Sequence, residues 1–291
     1  MPYPTAAIVF LLLVASVLML GFFAGRWKAG NLAHIEEWGL GGRRFGTWVS
    51  WFLIGGDAYT AYTFIAIPAL MFGAGAMGFF AVPYTVLIYP ILYVVFPKLW
   101  RVAKKHGYIT APEFVRGRYG NRWLALAIGL TGIAATMPYI ALQLVGMQTI
   151  IAALGLPGAH VPLIIAFAVL AGFTWTAGLR APAMIAIVKD LLIYLTVIAV
   201  IVVVPVELGG FGAIFAKIDP AKLLLATPKP GSGGAYTGYA TLAMGSAMAL
   251  FLYPHTMTGI LSAAGPRVIK RNAVLLPAYS LLLGLLALIG F

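Results

Sequence analysis

Apolar runs follow one another along almost the whole chain and are separated by short stretches that gather the charge. They cover approximately 5–25, 48–75, 79–97, 123–154, 161–178, 182–206 and 237–262, and a last run begins near Ala273 and reaches Phe291. A helix needs about 20 apolar residues to cross the hydrocarbon of a bilayer. Continuous runs of that length, in place of alternating ten-residue strands, argue against a membrane β-barrel. The pattern therefore predicts an all-α polytopic membrane protein with about eight transmembrane helices.

Two of these runs carry interruptions. The second, WVSWFLIGGDAYTAYTFIAIPALMFGAG from Trp48 to Gly75, places Gly55, Gly56 and Asp57 at mid-membrane depth. Each glycine lowers helix propensity by about 1 kcal/mol relative to alanine, and a charge at the bilayer centre costs about 2.5 to 3.5 kcal/mol on insertion scales. The helix is expected to open at the glycine pair, because unwound backbone at that depth is tolerated where it lines a cavity or is buried in protein. Freed carbonyls beside a carboxylate would form a midplane cation site of the kind secondary transporters build. The seventh run contains FLYPHTMTG, in which Pro254 removes a backbone donor in mid-membrane. Pro83 and Pro90 are expected to kink the third span.

Composition agrees with a membrane protein: 62% of residues are hydrophobic, 9% are charged, and the mean hydropathy is +1.00. In a soluble chain a formal charge of +12 would point to nucleic acid. Here its distribution matters more. Threading the runs as spans puts every basic residue except Lys217, Lys222 and Lys229 on one side. That side is cytoplasmic by the positive-inside rule, which leaves the N-terminus extracytoplasmic. The first run has no basic residue before Arg26 and is read as a span rather than a signal peptide. With no cysteine there is no disulfide or thiolate site. In the basic loop from Lys98 to Arg122, Thr110 is placed to cap a short helix whose first turn holds Pro112 and Glu113.

The order of features suggests an internal repeat. A peripheral first helix (5–25) precedes a five-helix unit over 46–206, and 237–291 then begins a second, inverted copy with its own interrupted helix. Because the last apolar run continues to Phe291, the sequence is read as the N-terminal part of a longer transporter domain.

Three stretches resemble the sodium:solute symporter family over essentially the whole chain: GGRRFGTWVSWFLIGGDAYTAYTFIAIPALMFGAGAMGFFAVPY, the GYITAPEFVRGRYG loop, and FLYPHTMTGILSA followed by VIKRNAVLLPAYSLL. The YTAYTF and YPH strings look most like the bacterial permeases that take up short monocarboxylates such as lactate and pyruvate. The resemblance implies a LeuT-like core of two inverted five-helix repeats in a bacterial inner membrane, no enzymatic activity, and a small organic acid as substrate. It also implies sodium as coupling ion. Carried over by position, Gly55 and Ala58 would supply sodium-binding carbonyls, Asp57 matches an acidic residue important for sodium in some relatives, and Asp190 matches one near the sodium exit route. The hydroxyl-bearing sodium ligands of the family fall beyond Phe291.

Other polar residues in mid-membrane helix, namely Tyr59, Thr60, Tyr62, Tyr139, Gln143, Tyr253, His255 and Thr256, are candidates to line a substrate pocket. Packing or interfacial roles are the alternative for the aromatics, and a satisfied bundle histidine is the alternative for His255. Lys189, which precedes Asp190 where relatives often carry a small polar residue, admits two readings. It forms an interfacial ion pair and snorkels to water, or it reaches the first interrupted helix and stands where some transporters hold sodium, which would make protons the coupling ion. A transporter-like sensor joined to a signalling domain past Phe291 is the rival from another class. Bilayer lipid is the remaining partner expected.

Overall fold

A computed structural model describes residues 4–27, 30–155, 160–250 and 253–291. Lys28 of the basic set, and Phe251 and Leu252 of the FLYPH string, lie outside the described residues. In chain order the helices are α1 (Pro4–Ala24), α2 (Ile35–Leu40), α3 (Thr47–Ala58), α4 (Ile67–Ala74), α5 (Ala81–Val94), α6 (Phe96–His106), α7 (Ala111–Tyr119) and α8 (Arg122–Ala153). They continue as α9 (His160–Ala177), α10 (Arg180–Glu207), α11 (Phe211–Ala216), α12 (Pro220–Leu223), α13 (Gly234–Ala249), α14 (Pro254–Leu261), α15 (Pro266–Leu275) and α16 (Pro277–Leu288). Among the described residues the one β pairing is a parallel bridge between Phe45 and Ala263. The protein is an all-helical polytopic membrane protein.

Five stretches among the described residues are long and apolar enough to cross a membrane: Pro4–Ala24, Tyr62–Val94, Arg122–Ala153, Arg180–Glu207 and Pro266–Leu288. The expected spans at 161–178 and 237–262 correspond to the shorter helix α9 and to the pair α13 and α14. The expected second span is likewise divided, into α3, a π-helical turn at Tyr62–Ala66, and α4. Gly75 ends α4 at φ +61°, a conformation that disfavours a side chain, and any Cβ there would run into the backbone of Lys222. On the basic loop, Thr110 caps α7 in a capping box with Glu113, whose carboxylate accepts the Thr110 amide at 3.0 Å.

The bridge fixes how the two divided spans sit. Ala264 N donates to Phe45 O at 2.8 Å, so the chain entering α3 lies beside the chain leaving α14. The two helices therefore run antiparallel, and they are in contact. Helices α3, α5, α10, α15 and α16 pack around a core that includes Tyr59, Tyr84, Tyr279, Leu283 and Ile269. α1 lies outside this group, against α9 and α10.

Charges close the end where the bridge lies. Arg43, 4% exposed, donates through Nε to Glu36 at 2.8 Å, through Nη1 to the Leu261 carbonyl at 3.2 Å, and through Nη2 to the Tyr108 carbonyl at 2.6 Å. Arg180 donates to the Glu37 carbonyl at 3.0 Å and to its Oε2 at 2.5 Å, and Arg44 pairs with the same carboxylate. Burial raises both glutamates, but the hydrogen bonds and charges of Arg43 and Lys104 on Glu36, and of Arg180 and Arg44 on Glu37, outweigh it and hold both below the usual carboxylate range. A depressed folded value gives stability that is present above the unfolded value and lost as pH falls through the folded one. The melting temperature of the purified protein should therefore fall on acidification below about pH 4. Glu37→Gln should lower it at neutral pH and shrink that acid-induced fall; an undiminished fall would show that other groups carry it.

Candidate functional site

The first divided helix breaks later than its sequence suggests. α3 runs unbroken through Gly55, Gly56 and Asp57 and ends at Ala58. The extended residue is Tyr59, at φ −103° and ψ 92°, and helix resumes after Thr60. The expectation that the helix opens at the glycine pair is thus corrected. The glycines serve close approach. A Cβ on Gly55 would overlap the ring of Tyr279, and one on Gly56 would sit 3.0 Å from both carboxylate oxygens of Asp190 and from Lys189 Nζ.

Side chains from the surrounding helices satisfy the backbone at the break. On its C-terminal side, Lys189 Nζ donates to Gly56 O at 2.8 Å and to Tyr59 O at 3.1 Å, and Tyr139 Oη donates to Asp57 O at 3.3 Å. On the restarting side, Ala61 N donates to Gln143 Oε1 at 3.0 Å and Tyr62 N to Thr60 Oγ1 at 3.3 Å. Unpaired backbone groups are costly away from water, and a helix C-terminus carries partial negative charge that favours a cation. Helices α8 and α10 thus supply complementary partners. Gln143 is placed as a cap, by a contact that joins residues 82 positions apart.

Behind Lys189 lies fully buried Asp190. Its Oδ1 is 2.9 Å from the ammonium, and its Oδ2 accepts Tyr279 Oη at 2.5 Å. The Tyr279 ring rests on Gly55 among Trp51, Tyr59 and Tyr194, with centroids at 4.7, 4.9 and 5.4 Å. Asp190 is therefore part of a chain of contacts that runs from the aromatic core to the break.

On the other side of α3 a cavity of about 330 Å³ opens between the divided helices, lined by Asp57, Thr60, Tyr62, Tyr139, Tyr253 and His255 together with Tyr84, Ser246 and apolar residues. Asp57 Oδ2 is buried with no hydrogen-bond partner among the described residues. His255 stacks on Tyr139 at 5.0 Å and lies against Tyr253 at 5.2 Å. Of the other sequence candidates, Tyr59 packs in the aromatic core at 2% exposure, and Thr256 is buried away from the cavity wall. Tyr84 and Ser246 were not singled out from sequence. A lone tyrosine in an apolar run and a serine among small residues carry no positional signal until the helices are packed.

The sequence profile of the sodium:solute symporter family matches residues 38–290. The chain belongs to that family. Its members are transporters rather than enzymes. The chain is 55% identical over 295 aligned positions to a Rhizobium johnstonii protein described as a monocarboxylate transport permease, covering 99% of this chain and 59% of that protein. It is 36% identical to the Bacillus subtilis protein described as uncharacterized symporter YodF, covering 99% of this chain and 58% of that protein, and 31% identical to that species' uncharacterized symporter YhjB. The chain thus spans less than two thirds of the length of these relatives.

The family implies sodium, and the residues at the break can be tested against it. The carbonyls presented there are those of Gly56 and Tyr59, one position on from the expected Gly55 and Ala58, and Asp190 was the expected carboxylate. All three groups face the Lys189 ammonium. In this arrangement the break does not fit a sodium ion.

The glycine pair gives a direct test of the packing. Gly55→Ala, which must displace the Tyr279 ring, should cost about 1–3 kcal/mol of stability, as overpacking does. Gly259→Ala, whose nearest neighbour would be 3.6 Å away, should be neutral or stabilising. Comparing thermal midpoints of the two variants checks this, and equal losses would contradict it.

Proposed function

We propose that the protein is a secondary active transporter that imports a small monocarboxylate, such as lactate, pyruvate or acetate, together with a cation across the bacterial inner membrane, with its N-terminus outside. The observation that carries this reading is the cavity at the break of α3. It is lined from the two divided helices together with α5 and α8, it is of the size used for small ligands, and its polar groups are hydroxyls, one imidazole and one carboxylate. The name of the Rhizobium relative supports the substrate class.

Charge balance favours coupling to a cation. A substrate carboxylate about 5 Å from the Asp57 carboxylate would be repelled by about 3 kcal/mol at an effective dielectric of about 20. A positive charge that travels with the acid removes that penalty, so the loaded site forms when both are present. Hydroxyls of Tyr62 and Tyr253 and the His255 ring would donate to the substrate oxygens, while the Tyr139 hydroxyl keeps its proton on the Asp57 carbonyl. In this reading Gln143, and Asp190 through Lys189, support the break, and Gly55, Ala58 and Thr256 have no contact role with substrate.

Uptake of labelled pyruvate by the full-length protein in proteoliposomes tests the proposal. Concentrative uptake is expected, competed by unlabelled lactate and acetate. Asp57→Asn should reduce it about tenfold, equivalent to about 1.4 kcal/mol. Tyr253→Phe should raise KM with a smaller effect on maximal rate. Saturable uptake of a neutral sugar in place of the acids, or full activity of Asp57→Asn, would refute it.

A further inference from the structure

The structure assigns to Lys189 the role of a tethered cation that occupies the seat a mobile sodium ion would take at the break of α3, so that sodium does not bind there and transport does not require it. This rests on the transporter reading above and concerns the ion alone.

The argument is geometric. An ammonium carries three donors and no acceptor. Three oxygens face it, two main-chain carbonyls at 2.8 and 3.1 Å and one carboxylate oxygen at 2.9 Å. Two carbonyls from an interrupted helix and a buried carboxylate are a donor set for a hard cation, which takes oxygen ligands. The nitrogen already stands among them. Gly56 lacks the Cβ that would lie 3.0 Å from that nitrogen, so the backbone presents its carbonyls to Lys189 without obstruction. Asp190 is held by Tyr279 from behind and is not available to turn toward another ion without losing that contact. The Lys189 side chain is 37% accessible, and its head group is engaged by all three oxygens.

A sodium ion entering this seat would have to displace a covalently attached charge of the same sign. Two unit positive charges about 4 Å apart at an effective dielectric of about 20 repel by about 4 kcal/mol. The tether also keeps the ammonium at high local concentration. The charges that face Lys189 are those of Asp190 on its own helix and Asp57 on α3, and the Tyr279 hydroxyl on α16 bonds the far oxygen of Asp190.

The test is exchange of labelled pyruvate into proteoliposomes that contain the full-length protein and unlabelled pyruvate, in choline medium with and without sodium, alongside binding of radioactive sodium to the purified protein. For the wild type, exchange should be equal in the two media within about twofold, with no saturable sodium binding. Lys189→Ala, which opens the seat, should exchange slowly in choline, recover several-fold on adding sodium, and acquire saturable sodium binding. Lys189→Met, which fills the space without charge, should be slow in both media. Stimulation of wild-type exchange by sodium of about tenfold or more, saturable sodium binding by the wild type, or a monodisperse Lys189→Ala protein without a sodium response would overturn the assignment. If the wild type exchanges no pyruvate in either medium, the substrate reading fails, and sodium binding by the wild type and Lys189→Ala still decides the role of Lys189.

Discussion

A helix that stops inside a membrane must place its last carbonyls and its next amides somewhere, and the rest of this structure is arranged around that requirement. Water is not present in the hydrocarbon to receive them, and each unpaired group would cost several kcal/mol. At Tyr59 the carbonyls go to Lys189 and Tyr139, and the amides go to Gln143 and Thr60. These partners come from α8, from α10 and from the segment itself, so the break exists only in the assembled bundle. Any movement of α10 relative to α3 would alter the ammonium contacts at the break. The ammonium thus ties α10 to the end of α3.

The two sides of α3 do different work. Toward α10 and α16 it presents Gly55 and Gly56, and the missing side chains admit the Tyr279 ring and the Lys189–Asp190 pair. Toward α14 it presents Asp57, with one unpartnered buried oxygen and the cavity beside it. Tyr139 joins the two regions, since its hydroxyl reaches the Asp57 carbonyl and its ring stacks on His255. A change at the cavity is thereby coupled to the backbone of the break through Tyr139, beside the break residues Asp57, Thr60 and Tyr62 that line it themselves.

At the opposite end of α3, the entry strand at Phe45 pairs with the exit of α14, and Arg43 donates to the Leu261 carbonyl and to Glu36. Gly41 and Gly42 take positive φ freely, and Arg43 takes it as a non-glycine residue, a conformation its contacts hold in place. The start of α3 and the end of α14 are therefore fastened together in this conformation.

What the sequence by itself determined is what depends on local, additive chemistry. Hydrophobic runs fixed the membrane class and the positions of α1, α8, α9 and α10 to within a few residues, because insertion energy sums along one helix. Thr110, Pro112 and Glu113 announced the start of α7, because capping is settled within one turn. The acid at position 57 marked the site, because an isolated charge at that depth needs a polar surrounding. Tertiary structure alone decided where the helix breaks, that the glycine pair admits neighbours instead of unwinding, that Gln143 is a cap, that Tyr84 and Ser246 reach the cavity, and that Lys189 travels 133 positions in sequence to meet Gly56. These outcomes depend on which helices pack together, and propensity along one segment carries no information about the partner that will satisfy its free backbone groups.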